Sequence, residues 1–397
     1  MSDGPRDPGA GGVTESLVER YLLLGLRLDR HVEGTVDAYF GPPELADAVS
    51  VAPPVEPAAL VADAEGLLGE LEDSWLRDQV VGLHTFARVV AGETLAYRDE
   101  VERCYGVRPR RTDEAAFADA HARLDGLIPG TGPLVERYQA WLKASSVSRE
   151  QLGQIVASVI DRSREWTNRV VELPAGEGVA LEIVTDKPWG GFCYYLGDLQ
   201  SRIELNADLP RSAGEVLHLA LHETYPGHHA ERCVKDEVLV RKGGLMEETI
   251  VLVPTPQSMI AEGIAELAAK LLLESDAGAA LADVVADAGI ELDLSQLLDV
   301  RRALAACDWV EVNAALMLYE DGASEAETRA YLERWGLMTA ERSAHILRFL
   351  REPTSRSYVL TYAAGQELCE RWVGGDLQRF RRLLTEQVRV GDLVAGD

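Results

Sequence analysis

The segment between residues 222 and 229 constrains the fold more than any other part of this sequence. It reads His222-Glu223-Thr224-Tyr225-Pro226-Gly227-His228-His229. A proline inside a helix has no amide N–H and clashes with the carbonyl four residues earlier, here that of His222, and the glycine that follows adds a second break. Any helix that contains His222 must therefore end or bend at the Pro226-Gly227 step.

The same segment holds three of the eight histidines of the chain, and Glu223 directly follows the first of them. Neutral imidazole is a common zinc ligand, and a nearby glutamate is the usual general base of a metallohydrolase. On a straight helix, His228 would point about 240° away from His222, and His229 would lie about 10 Å further along the axis. A metal site therefore needs the bend, which would bring either His228 or His229 back towards His222.

A third metal ligand has to come from another segment. Glu262 and Glu266 are four residues apart in an apolar stretch rich in alanine and leucine, where acids are costly to bury unless they are paired or bound to a metal. We predict that Glu262 is the third ligand and that Glu266 orients a histidine. Two alternatives remain open: a buried salt bridge between Glu262 and an arginine, and a metal pair of His218 and His222, which have true i, i+4 spacing.

The hydrophobic spacing predicts a mainly helical protein with one small sheet. A capping box at Ser16 opens a predicted helix that extends to Tyr39, and helical periodicity continues along most of the chain. Three runs alternate or are rich in β-branched and aromatic residues, and they predict an antiparallel sheet of two or three strands: Val179–Val184, Phe192–Leu196 and Arg202–Asn206.

The length of 397 residues exceeds the usual limit of ~250–300 residues for one hydrophobic core. We therefore predict two helical lobes with the sheet between them. The predicted divisions are a disordered tail (1–12), an N-terminal helical lobe (13–172), the small sheet (173–210) and a C-terminal helical lobe that contains the metal site (211–397).

The composition limits the possible partners. The chain has 39 basic and 66 acidic residues and a net charge of −27, whereas nucleic acids and anionic membranes are bound by basic patches. No signal-peptide pattern and no apolar run of about 18 residues is visible. The five scattered cysteines form no CxxC pair, which argues against a disulfide framework. We expect a cytoplasmic protein that binds neither nucleic acid nor membrane; the sequence leaves its oligomeric state open.

The string HETYPGHH, with EGIAELAAK further along, resembles a bacterial family of unknown function numbered 885. Members of that family pair an HExxPGHH-type motif with a later EGxAxY-type helix. The family is similar to the carboxypeptidase Taq zincins, in which a two-lobed helical body surrounds a cleft with a small sheet beside it. The resemblance runs from Pro188 to the C-terminus and includes Tyr358–Gly365, which is similar to a Tyr-x-x-Gly segment of the family. Glu231 stands where many members have Gln, and Leu267 where an aromatic residue is common.

The resemblance implies a site and a chemistry. His222, His228 and Glu262 would hold zinc, or else manganese or cobalt. Glu223 would be the general base that activates a water molecule and passes its proton to the leaving amine. Tyr362 would donate a hydrogen bond to the oxyanion.

His345 is a weaker candidate than Tyr362 for the oxyanion donor. The strand Ile203–Asn206 would offer a free edge to an extended substrate. We therefore predict a zinc-dependent hydrolase, a metallopeptidase that acts on short peptides. The alternatives are a metal-dependent hydrolase of an amide or ester in a specialised small metabolite, and a non-catalytic protein that binds a peptide or a partner.

Overall fold

A computed structural model describes residues 16–187, 189–208 and 210–396 and confirms a mainly helical fold with small β-sheets. The α-helices are α1 (Leu17–Asp29), α2 (Pro43–Val51), α3 (Pro57–Glu70), α4 (Trp75–Val90), α5 (Tyr97–Tyr105), α6 (Glu114–Leu127), α7 (Leu134–Ala144), α8 (Arg149–Val170), α9 (Ala213–Glu223), α10 (His228–Lys235), α11 (Pro256–Leu273), α12 (Ala277–Asp287), α13 (Leu294–Leu304), α14 (Val310–Leu316), α15 (Glu325–Trp335), α16 (Ala340–Arg351), α17 (Ser355–Tyr358), α18 (Leu360–Val373), α19 (Leu377–Thr385) and α20 (Val390–Ala395).

Shorter helical segments join some of these elements. They are π-helical at Asp236–Lys242 and Met317–Asp321, and 3-10 helical at Met246–Thr249 and Ala305–Trp309. None of the described helices is both long enough and apolar enough to cross a bilayer. The predicted tail, 1–12, lies outside the described residues.

Seven short strands are present in the described residues, and they form three separate sheets. The strands are β1 (Val36–Tyr39), β2 (Ser146–Val147), β3 (Gly178–Val184), β4 (Gly191–Tyr195), β5 (Gln200–Asn206), β6 (Arg211–Ser212) and β7 (Ile250–Leu252). The pairs β1–β7 and β2–β6 are antiparallel and were not predicted.

The predicted sheet corresponds to β3, β4 and β5, but its pairing is mixed. The central strand β5 pairs antiparallel with β4 and parallel with β3, so the expectation of a purely antiparallel sheet was wrong. Parallel pairing places Leu181 beside Ile203 and Ile183 beside Leu205, which aligns the apolar faces of both strands over one core. Because β5 is central, Ile203–Asn206 has no free edge, and the outer strands are β3 and β4.

The predicted helix from Ser16 to Tyr39 is shorter than expected. α1 ends at Asp29, whose Oδ1 accepts hydrogen bonds from the amides of Gly34 and Val36, and Gly34 has a φ of 86°. The chain then enters β1, which pairs with β7. The partner strand is more than 200 residues away in the sequence, so the local pattern did not reveal this pairing.

Each hydrophobic core draws on both halves of the chain. The largest core packs Val101 and Phe117 with α11, α14, α18 and α19. A second core joins α8, the sheet, α9 and α12, and a third packs α1, α3 and α4 against Ile250 and Leu252 of β7. The division into two lobes stays a prediction.

The close contact of α11 with α18 brings two predicted site elements together. A Cβ atom on Gly263 would lie 2.3 Å from the carbonyl oxygen of Gly365, and one on Gly365 would lie 2.4 Å from the carbonyl oxygen of Met259. Only glycine allows two helix backbones to approach this closely. The contact sets Glu262, next to Gly263, against the helix that contains Tyr362.

Candidate metal centre

The predicted helix break is present at the Pro226-Gly227 step. α9 begins at a capping box between Ser212 and Glu215 and ends at Glu223, and α10 begins at His228. A Cβ atom on Gly227 would lie 1.9 Å from the carbonyl oxygen of His222, so no other residue fits there. The bend brings the His222 and His228 rings to a centroid distance of 4.7 Å, with their planes perpendicular.

The three predicted ligands meet at one point. Nε2 of His222 lies 3.3 Å from Oε2 of Glu262, and Nε2 of His228 lies 3.4 Å from Oε1 of the same carboxylate. One potential ligand atom of each residue lies within 4.8 Å of those of the other two. Ligands about 2.0–2.1 Å from a tetrahedral zinc ion would be about 3.3–3.4 Å from one another. The spacing of these residues therefore fits a metal ion.

The hydrogen bonding of the triad also fits a metal. His222, His228 and Glu262 are only 5–7% exposed. Oε2 of Glu262, Nδ1 of His222 and Nδ1 of His228 are buried and make no hydrogen bond within the described residues. Buried polar atoms are normally satisfied, and leaving one unpaired costs about 1–3 kcal/mol. An ion bound between Glu262 and the two imidazoles would satisfy the carboxylate oxygen.

The electrostatics of the triad are those of a tightly coupled group. Burial lowers the pKa of His228, but Glu262 and Glu231 outweigh it and raise that pKa to about 9. The pKa of His222 is raised well above its usual range because Glu262 and Glu266 likewise outweigh burial. The two histidines in turn overcome the effect of burial and hold the pKa of Glu262 well below its usual value.

Glu223, the predicted general base, follows His222 on α9 and is buried. Its carboxylate forms no hydrogen bond with the described residues. Burial raises the pKa of Glu223 above its usual value, and His222 and His228 offset this only in part. Glu223 is therefore held beside the triad without another partner.

Tyr362, the predicted oxyanion donor, is half-buried beside the triad, with its ring centroid 6.5 Å from that of His222. Tyr358, which the sequence reasoning missed, donates a hydrogen bond of 2.5 Å to Oε1 of Glu262. The two tyrosines are one helical turn apart in the sequence, with ring centroids 5.6 Å apart. The separation of one helical turn from Tyr362 was the sequence signal that could have identified Tyr358. Nδ1 of His345, in contrast, lies 3.5 Å from Nη2 of Arg348.

His229, the alternative ligand, is fully buried in a separate network. Its Nδ1 lies 2.7 Å from the hydroxyl of Ser201, and its Nε2 lies 3.0 Å from Oε2 of Glu177. Tyr225 also donates to Glu177, and Nε of Arg164 lies 2.6 Å from the other oxygen of Glu177. Both nitrogens of His229 are occupied, so the structure favours His228 as the ligand. No sequence pattern pointed to Glu177.

His218 and Glu266 form a second cluster on the other side of His222. Nε2 of His218 lies 3.2 Å from Oε2 of Glu266, and Nδ1 of His222 lies 3.3 Å from Oε1 of Glu266. These residues are also close enough to hold an ion. Arg301, which the sequence did not indicate, lies with Nη2 2.9 Å from Nδ1 of His218.

Glu231, one of the two departures from the family pattern, lies behind His228. Its Oε2 is 3.9 Å from Nδ1 of His228, and its Oε1 accepts a hydrogen bond of 2.6 Å from Nζ of Lys235. Burial raises the pKa of Glu231, but Lys235 and His228 outweigh it and lower that pKa to about 2. Glu231 is therefore a carboxylate that faces the far side of a predicted ligand. Leu267 is buried in the largest core.

Comparisons with known proteins add information about the fold alone. Neither protein families nor curated proteins give a match to the sequence. Among solved structures, the chain is similar to a "putative lipoprotein" from Colwellia psychrerythraea, with a TM-score of 0.51, 17% identity and coverage of 91% of this chain. It spans 56% of the length of that protein. A "putative lipoprotein of unknown function" from Shewanella oneidensis gives a TM-score of 0.52 and 11% identity, with coverage of 94% of this chain and 82% of the other.

Proposed function

We propose that this protein is a zinc-dependent hydrolase, a metallopeptidase that cleaves amide bonds of short peptides. One observation supports this most strongly: ligand atoms of His222, His228 and Glu262 lie within 4.8 Å of one another, and each Nε2 atom lies 3.3–3.4 Å from an oxygen of the carboxylate, close to the separation of two ligands on a zinc ion. The resemblance to the family numbered 885 supports the same function, and membership of that family stays a prediction. Manganese or cobalt would be held by the same atoms.

A divalent ion bound there would lower the pKa of a water molecule and polarise the scissile carbonyl. The protein residues supply the proton transfers and the positioning. Glu223, beside the triad and without a hydrogen-bond partner among the described residues, accepts the proton of the attacking water and delivers it to the leaving nitrogen. The hydroxyl of Tyr362 donates to the oxyanion. Tyr358 holds the carboxylate of Glu262 in place through its hydrogen bond.

The outer strand β4 takes the role that the sequence assigned to Ile203–Asn206. β5 is paired on both sides, whereas β4 pairs on one side only within its sheet. β4 also lies directly against the histidine helix, because a Cβ atom on Gly191 would be 2.9 Å from a methyl group of Leu219 on α9. An extended peptide paired with β4 would therefore pass close to His222.

The alternative function is hydrolysis of an amide or ester in a small metabolite by the same residues. The low exposure of the triad supports it, since a buried centre admits small groups most readily. A non-catalytic binding role is the third possibility. The cytoplasmic location also remains a prediction, and because the two similar structures are described as lipoproteins, cell fractionation of the native protein is the direct test.

The decisive experiment measures metal content and turnover together. We expect one zinc ion per chain and hydrolysis of members of a short-peptide library. Glu223→Gln should keep the ion and lose roughly 10²- to 10⁴-fold in rate, the range for loss of a general base. Turnover of acyl-amide metabolites but not peptides would favour the alternative substrate class. Protein without stoichiometric metal, or a fully active Glu223→Gln variant, would contradict the proposal.

A further inference from the structure

The cluster of His218, Glu266 and His222 consists of residue types that bind metals. A contact between His218 and an arginine, however, argues against metal binding there. Its ligand atoms are close enough to hold an ion. However, Nη2 of Arg301 lies 2.9 Å from Nδ1 of His218. A guanidinium group only donates hydrogen bonds and does not lose its proton in proteins. Nδ1 of His218 must therefore be the acceptor.

This contact fixes the tautomer of neutral His218. With a lone pair on Nδ1, the ring proton sits on Nε2, which lies 3.2 Å from Oε2 of Glu266 and 3.3 Å from Oε1, its hydrogen-bond partner. A protonated nitrogen has no lone pair to offer a cation. The second cluster is therefore built to orient Glu266, and it is not a second metal site.

The oriented carboxylate faces the metal-binding histidine. Oε1 of Glu266 lies 3.3 Å from Nδ1 of His222, while Nε2 of the same ring faces Glu262. The Nδ1 atom is not aligned as a hydrogen-bond donor in this arrangement, and such contacts often tighten only when a site is loaded. A proton on Nδ1 directed at Glu266 leaves the Nε2 lone pair free for a ligand role.

We propose that Arg301, His218 and Glu266 form a relay that holds His222 in its metal-binding tautomer, and that the site takes a single ion. The inference rests on the proposed metal site and extends it to two positioning residues, Arg301 and His218, neither of which reaches the ion. A carboxylate that orients a metal-bound histidine typically contributes 10- to 100-fold to metal affinity.

The experiment measures zinc affinity by competition with a chromophoric chelator, together with the number of ions per chain. Arg301→Met and His218→Leu should each weaken zinc binding about 10- to 100-fold. Arg301→Lys, which also only donates, and His218→Gln, whose amide N–H replaces the Nε2 donor, should restore most of the affinity. The neighbouring Arg302 is the matched control, because it pairs with Asp299 and Glu274, and Arg302→Met should bind zinc normally.

A loss of affinity without restoration by the conservative variants would identify a merely structural role and overturn the relay, as would unchanged affinity of Arg301→Met. Two ions per chain would also overturn it, because the second cluster would then be a metal site. If the wild-type protein binds one ion and the variants match it, the relay fails alone. If the wild-type protein binds none, the proposed function fails with it.

Discussion

His222 and His229 are seven residues apart, and both lie against buried glutamates. The two sites differ in how many of their buried polar atoms have hydrogen-bond partners. Both nitrogens of His229 have polar partners within 3.0 Å, from Ser201 and Glu177. Around His222, two triad nitrogens and one carboxylate oxygen have no hydrogen bond in the described residues. The pKa of His229 is lowered, chiefly by burial, whereas that of His222 is raised.

The difference teaches how to tell a histidine with complete hydrogen bonding from a candidate metal ligand in one motif. The network around His229 occupies both ring nitrogens and joins His229 and Tyr225, which flank the bend, through Glu177. An incomplete network costs free energy in the folded protein. Here the unpaired Oε2 of Glu262 lies 3.3 Å from Nε2 of His222 at the proposed ion position, whereas the unpaired Nδ1 atoms of His222 and His228 face Glu266 and Glu231. Residue type alone does not distinguish a candidate ligand from a structural histidine, since His228 and His229 are neighbours in one HH pair.

The largest difference is expected between His228→Ala and His229→Ala. Removal of His228 takes away one of the three proposed ligands, so we expect no stoichiometric zinc and no turnover. Removal of His229 leaves the triad intact, so the folded protein should still bind one ion, although with reduced stability. Elemental analysis of both folded variants checks this. If His229→Ala loses the ion while His228→Ala keeps it, the assignment of the two histidines is reversed.

The next largest effect concerns the network around His229. Glu177→Gln removes a buried charge from its contacts with Arg164, Tyr225 and His229, and we expect a loss of about 3 kcal/mol in the free energy of unfolding, measured in urea. Zinc stoichiometry should be unchanged. A stability equal to that of the wild-type protein would show that the network contributes little to the free energy of folding.

The same variant should alter acid sensitivity. Burial raises the pKa of Glu177, but His229, Tyr225 and Arg164 lower it below its usual 4.5. The stabilisation from this charge is therefore present above pH 4.5 and is lost as the pH falls through the lower folded-state value. Unfolding experiments between pH 6 and pH 3 should show a shallower loss of stability for Glu177→Gln than for the wild-type protein.

A smaller effect, the change in Tm on zinc removal, should distinguish variants of the triad from variants of the His229 network. A ligand present at 100 times its Kd stabilises the folded state by about 2.7 kcal/mol. Zinc should therefore raise the Tm of the wild-type protein and of Glu177→Gln, and chelation should reverse the shift. Glu262→Ala should show no zinc-dependent shift. An equal shift in Glu262→Ala would place the ion elsewhere.

The smallest effect is expected from Glu231→Gln. Glu231 faces Nδ1 of His228 across 3.9 Å and has no direct contact with the predicted ion position. We expect at most a tenfold weakening of zinc binding, or about 1.4 kcal/mol, measured by chelator competition. The control is Glu237→Gln, since Glu237 pairs with an exposed lysine, Lys242, and its loss should change nothing. A loss of more than a hundredfold would make Glu231 part of the ligand set.

The sequence by itself determined the helical class and the helix break, and it predicted His222 and Glu262 as ligands. The choice of His228 over His229 came from the resemblance to the family. Proline and glycine affect the backbone conformation at their own positions, so Pro226 and Gly227 predict the bend from the local sequence. Glu262 was recognisable because an acid in an apolar helix needs a partner. The three strands of the central sheet were also visible from alternation, although their order was not.

Only the tertiary structure decided which contacts satisfy each of these residues. Glu177, Arg301 and Tyr358 come from distant segments, and no local pattern records that they meet His229, His218 and Glu262. The parallel pairing of β3 with β5, and the pairing of β1 with β7, have the same origin. Side-chain periodicity shows which face of an element is buried, whereas the choice of partner depends on how separate elements pack.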